Sequence, residues 1–148
     1  MQRHREYRRV VYAHRVRFHE TVHGVYFDDL DAFKVLHNAR YVLLFERTIG
    51  SFWQHLGYGG FLTHEANRDQ FHVVRANHFE YERPVDYTGN VRVRVWIEQI
   101  GTTSLRFGGV ILPMDNDEPH ARATRTDESP GSQSFLLEQS HELVRCSR

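Results

Sequence analysis

A chain of 148 residues, 40% hydrophobic and 26% charged, has the length and composition of one globular domain, able to bury about two-thirds of its extended surface. Lys plus Arg number 19 and so do Asp plus Glu, so the formal charge is zero: it offers nothing to a nucleic-acid backbone and does little to keep copies apart. A single cysteine, Cys146, excludes an intrachain disulfide and fits a reducing, cytoplasmic setting, and no apolar run approaches the roughly 18 residues of a membrane-spanning helix.

The N-terminal MQRHREYRR is basic and lacks the apolar stretch of a secretory leader. Residues 1–21 form an N-terminal extension that is expected to be partly strand, and residues 22–148 form the domain proper. Residues 10–18 and 22–28 read as strands, with Glu20-Thr21 between them, and the second runs into a turn over residues 29–36. From Asn38 the pattern becomes helical: Tyr41, Leu44, Phe45, Thr48, Ile49, Phe52 and Leu56 recur at three- and four-residue spacing. Asn38 is a good N-cap, because its side chain can accept from an early helical N–H, and Gly57 is placed to end the helix. Val42, Leu43 and Trp53 widen the apolar stripe, which suits a helix wrapped by a sheet.

Residues 57–67 contain Gly57, Gly59 and Gly60 and read as a loop. Strands resume over residues 71–81. The clearest is residues 91–100, where Val91, Val93, Val95 and Ile97 alternate with Arg92, Arg94, Trp96 and Glu98 at the two-residue period of a sheet with one wetter face. Trp96 on that wetter face calls for a partner. Turns at Gly101-Thr102 and residues 115–118 separate further strands over 104–112 and 120–126, then a polar loop over 127–132 and a short helix over 135–144. The economical architecture is an antiparallel sheet covered by the long helix.

Chemistry concentrates in DDLDAFKVLHNARYVLLFE, residues 28–46. Three carboxylates, Asp28, Asp29 and Asp31, precede a helix N-terminus, whose free N–H groups can hold a developing negative oxygen. Turn capping alone would also explain Asp31, and an N-cap alone would explain Asn38. Cys146, in the C-terminal tail, is a poor candidate for a nucleophile. His19-Glu20-Thr21-Val22-His23 matches the zinc-protease pattern H-E-x-x-H in letters only. That pattern needs a helix to bring both imidazoles to one ion. In an extended chain the two would stand about 13 Å apart, against ligand distances of about 2 Å. Gly57-Tyr58-Gly59-Gly60 follows a helix rather than a strand, the wrong context for a phosphate loop.

Asp29-Leu30-Asp31, the intervening turn, Asn38-Ala39-Arg40-Tyr41 and Glu46 resemble the hot-dog acyl-CoA thioesterases of the 4-hydroxybenzoyl-CoA thioesterase type. The later strand-like segments fall where that family's strands would. The resemblance implies an α+β hot-dog fold, an antiparallel sheet wrapped around one long central helix, in a homodimer or homotetramer whose sites lie between subunits. It implies hydrolysis of an acyl-CoA or acyl-carrier-protein thioester, with Asp31 as nucleophile or general base and the backbone N–H of Asn38 polarising the carbonyl. Lys34, His37 and Tyr41 are the expected substrate contacts, with no cofactor and no metal. Glu46 is expected to make a structural bond.

Lys34 stands where the family has glycine, Val35 where it often has His, and His37 where an Asn or aromatic is frequent. A hot-dog hydratase fits less well: its Asp and His are separated by four residues, and here Leu36 stands at that position after Asp31, with His37 one later. The remaining alternative is a non-catalytic hot-dog subunit that binds acyl-CoA or serves a structural role.

Overall fold

The computed structural model describes residues 17–57 and 73–128. The expected strand over residues 10–16, the glycine loop beyond Gly57 and the expected helix over 135–144 lie outside them. Among the described residues five strands and one long helix follow in chain order: β1 (His19–Val25), a 3-10 turn (Phe27–Asp29), α1 (Asn38–His55), β2 (Val73–Tyr81), β3 (Gly89–Ile100), β4 (Ser104–Pro113) and β5 (Ala121–Glu128). They form one sheet in the order β1-β3-β4-β5-β2, every neighbour antiparallel. The sheet curls around α1, so the fold is the hot-dog arrangement.

The apolar stripe of α1 explains the wrapping. Tyr41, Leu44, Phe45, Thr48 and Ile49 are its buried residues, and they meet Val91, Val93 and Val95 of β3 and Leu105, Phe107 and Ile111 of β4 in one core. Phe45 packs edge-on against Phe79, and Phe52 and Trp53 pack edge-on against Phe107. Closest approach comes at Gly109 in β4: a Cβ there would fall 2.2 Å from the Phe45 ring. Glycine is required here for space, since the ring occupies the volume a side chain would take.

Several boundaries differ from the expectation, for identifiable reasons. β1 starts at His19, because Glu20 and Thr21 continue the ladder opposite Arg94 and Val93. On the outer face the Glu20 carboxylate bonds the Arg94 guanidinium, so a polar pair that reads as a turn is a cross-strand ion pair. The strand ends at Val25 rather than at residue 28, where Asp29 Oδ2 accepts from Tyr26 N–H at 2.8 Å and bends the chain into the 3-10 turn. His37, not Asn38, caps α1: its side chain accepts from the Ala39 N–H, and Asn38 is the first helical residue. Gly57 ends the helix with φ +91°, as its position suggests. β5 runs through Glu128, so Asp127 is strand, not loop. Its carboxylate is buried and bonded to Arg125, two residues earlier on the same face, at 2.6 Å.

The alternation in β3 holds from Val91 to Ile97 and then breaks. Register passes from Ile97↔Phe107 to Gln99↔Arg106, leaving Glu98 as the extra residue of a bulge, and Ile100 turns inward opposite Leu105. A second irregularity interrupts β2 between Val74 and Ala76. Trp96 on the outer face lies against Gly108 of β4, whose missing side chain leaves room for the indole. Part of its need for a partner is therefore met across the ladder.

Candidate active site

The turn between β1 and α1 is built from its carboxylates. Asp29 spends both oxygens on structure: Oδ2 accepts from Tyr26 N–H, and Oδ1 pairs with Arg40 Nε at 3.1 Å, tying the 3-10 turn to the first turn of α1. Asp31 closes the loop that follows. Its N–H donates to Val35 O at 2.8 Å, and its Oδ1 accepts from Phe33 N–H at 2.8 Å and Val35 N–H at 3.3 Å. No partner engages Oδ2 among the described residues, so one oxygen of this carboxylate is held by backbone and the other is not.

The same loop demands an unusual backbone at Lys34, which adopts φ 61°. A left-handed conformation crowds Cβ against the backbone of any residue but glycine, at a cost of about 1–2 kcal/mol. Glycine widens the unfolded ensemble and returns part of that gain, so Lys34→Gly is expected to stabilise the fold by about 0.5–1 kcal/mol. Urea denaturation would show this as a higher midpoint with an unchanged slope. Lys34→Ala keeps the strain and should show no gain; equal gains from both variants would trace the effect to charge instead.

Beyond the loop, the Val85 peptide clamps the start of the helix from both sides. Leu36 N–H donates to Val85 O at 2.8 Å, and Val85 N–H donates to the Tyr41 hydroxyl at 3.3 Å. Burial raises the Tyr41 pKa above its ordinary value, so the phenol keeps its proton. Tyr41 in turn meets the Tyr81 ring edge-on, centroids 5.0 Å apart.

These contacts frame a cleft of about 560 Å³ lined by Asp31, Val35, Leu36, His37, Asn38, Tyr41 and the chain from Tyr81 to Pro84. Four of the five expected site residues thus share one cleft: Asp31, His37, Asn38 and Tyr41. Lys34 sits at the apex of the loop, outside the lining. The N–H of Asn38, in the first turn of α1, has no partner among the described residues, as helix geometry dictates. A carboxylate and a helix N-terminus lining one cavity are groups able to activate water or attack a carbonyl, and to hold the oxygen that becomes negative.

The Tyr81–Pro84 wall was not foreseen as part of the site. It arrives through pairing of β2 with β5, where Tyr81 sits opposite Ala121, and through Glu82 and Arg83 donating to His120 O at 2.9 and 3.1 Å. Tyrosine at the end of a strand run was the only local signal.

The other conspicuous histidines serve structure. His19 Nε2 meets Ser51 Oγ at 3.0 Å, and His23 Nε2 meets Thr21 Oγ1 and Thr48 Oγ1 at 2.8 and 2.9 Å. Both lie on β1, so the H-E-x-x-H letters are strand. Desolvation lowers both pKa values from 6.5, helped by His55 near His19 and Arg47 near His23. No group of three or more His, Cys, Asp or Glu that could hold a metal occurs among the described residues. No helix among them is long and apolar enough to cross a membrane. Glu46 lies 3.7 Å from Arg125 of β5, the intrachain bond expected of it.

The model of the thioesterase-like superfamily matches residues 25–127. A comparison with curated proteins finds no match. Among solved structures, the chain is similar to a probable thioesterase from Bartonella henselae at 23% identity and TM-score 0.68, covering 76% of this chain and 90% of that one. It is similar to the YbaW probable thioesterase from Escherichia coli at 19% identity and TM-score 0.68, over 84% of this chain and 97% of that one. A DHNA-CoA thioesterase from Staphylococcus aureus superposes with TM-score 0.70 at 15% identity, over 86% and 91%. At such identities the structural likeness speaks for the fold.

Proposed function

The chain belongs to the thioesterase-like superfamily, and from that premise we propose that it hydrolyses an acyl thioester, of coenzyme A or of an acyl-carrier protein, to a free acid and a thiol. The observation that carries this reading is the half-engaged Asp31 carboxylate in the cleft that Asn38, the first residue of α1, also lines. Within the superfamily, Asp29, Asp31, Asn38 and Tyr41 favour the 4-hydroxybenzoyl-CoA thioesterase type. Asp31 acts as general base or nucleophile. In the base route it takes a proton from water, whose oxygen bonds the carbonyl carbon. Charge then gathers on the carbonyl oxygen, facing the Asn38 N–H. As that charge returns, the C–S bond breaks and the thiolate takes the proton back from Asp31. A reducing compartment such as the cytoplasm fits a chain with one cysteine.

We propose further that the working form is a homodimer or homotetramer. Among the described residues β2 pairs on one side only, with β5, and offers a nine-residue edge with Val73, Val74 and Tyr81 exposed. Proteins seldom leave so long an edge uncovered, and a second copy pairing there would place new surface beside Tyr81 and the cleft.

Thiol release from a panel of acyl-CoAs, run with and without chelator, tests the activity, and light scattering across micromolar concentrations tests the assembly. Metal-independent release by a species of two or four copies is the expected result. Tight acyl-CoA binding with no release would instead make the protein a binding subunit.

A further inference from the structure

His37 does more at this site than cap a helix. Its Nδ1 accepts the Ala39 N–H at 3.2 Å, so Nδ1 carries no proton, and a neutral imidazole must then carry its proton on Nε2. The two ring nitrogens point away from one another. With Nδ1 turned into the helix end, Nε2–H is directed outward, and the residue lines the cleft that holds Asp31 and Asn38. No protein atom among the described residues accepts from Nε2. A residue lining the cleft therefore carries a donor whose tautomer is fixed by the backbone and whose hydrogen has no acceptor among the described residues.

Resting on the thioesterase reading, we propose that His37 Nε2–H donates a hydrogen bond to the carbonyl oxygen of the thioester as negative charge builds there, beside the Asn38 N–H. In the capping geometry Nδ1 serves as the acceptor, which leaves Nε2–H as the ring's donor. A neutral imidazole does not surrender Nε2–H to a departing thiolate. His37 is thus an electrostatic donor and not a general acid; neutral histidine beside a helix N-terminus can polarise a carbonyl in this way.

The substitution that isolates the donor is His37→Asn. Asparagine is among the best caps and can accept from Ala39 N–H through Oδ1, so the helix start and the melting temperature should be kept. Its shorter side chain removes the Nε2–H. Turnover is expected to fall about 10- to 100-fold, at or below the lower end of the range for losing one such donor because His37 is exposed, with little change in KM. An oxyanion donor acts on the carbonyl, so the loss should be equal for a coenzyme A ester and for the same acyl group on an arylthiol, a much better leaving group. A loss that disappears with the arylthiol would identify a general acid and overturn the proposal. Independently, a long-range 1H–15N spectrum of the wild type should show a protonated Nε2 and a bare Nδ1 at neutral pH; the opposite tautomer would overturn it whatever the variant does. Full turnover by His37→Asn would remove His37 from catalysis and leave the thioesterase reading standing, whereas a wild type inert towards every thioester would remove both.

Discussion

Replacing Asp31 by asparagine is expected to lower turnover at least about 100-fold while leaving the fold in place. The loop explains why one change can separate these effects. The Phe33 and Val35 N–H groups both bond Asp31 Oδ1, and an asparagine Oδ1 can accept both. What disappears is the charge, and with it the proton acceptor and the nucleophile together. Asp29→Asn is the matching control. It weakens the pair with Arg40, whose side chain is 39% exposed, at a cost of at most about 1 kcal/mol, and should leave turnover nearly intact. Measuring kcat and the thermal midpoint of both variants checks the division. Turnover lost with Asp29→Asn and kept with Asp31→Asn would transfer the chemistry to the wrong carboxylate for this account.

The second large effect lies in the core. Gly109→Ala places a methyl group 2.2 Å from Phe45 Cε2 and 2.9 Å from the Arg94 backbone oxygen. The oxygen belongs to the β3–β4 ladder and cannot retreat, so the ring must move and α1 with it. Overpacking of this kind is expected to cost about 2–3 kcal/mol in urea unfolding. Phe45→Leu removes the atoms that clash. In the Gly109→Ala background it should therefore cost less than it does alone, with a coupling of about 1 kcal/mol or more. Strict additivity would show that the close approach does not limit the helix–sheet distance.

Much of the architecture was legible because burial imposes a period. Val91, Val93 and Val95 alternate with arginines because one face of β3 meets α1, and the wide stripe from Tyr41 to Phe52 exists because the sheet surrounds it. Errors came where polar residues do structural work. Glu20-Thr21 resembles a turn until Arg94 is known to lie opposite. Asp127 resembles a loop residue until Arg125 neutralises it inside the sheet. Asn38 is the better cap by preference, yet His37 precedes it and takes the position. That Asp31 and Asn38 share one cleft was legible because a loop into a helix is local in the chain. Tyr81 and Arg83 were not, since only pairing of β2 with β5 brings them to the cleft.

The two bulges share a location. Glu98 in β3 and the irregularity after Val74 in β2 lie towards the end of the sheet where α1 finishes, near Ile100, Ser104 and Glu128. The cleft lies at the opposite end, where α1 begins and where Tyr81 and Ala121 pair in regular register. The bulges and the cleft therefore lie at opposite poles of the curved sheet. The tight turn between β3 and β4, closed by Gly101 N–H to Ser104 O at 2.7 Å, lies at the bulged pole. It is the natural place to graft a tether, label or inserted domain, because such a graft would lie a full strand length away from Asp31.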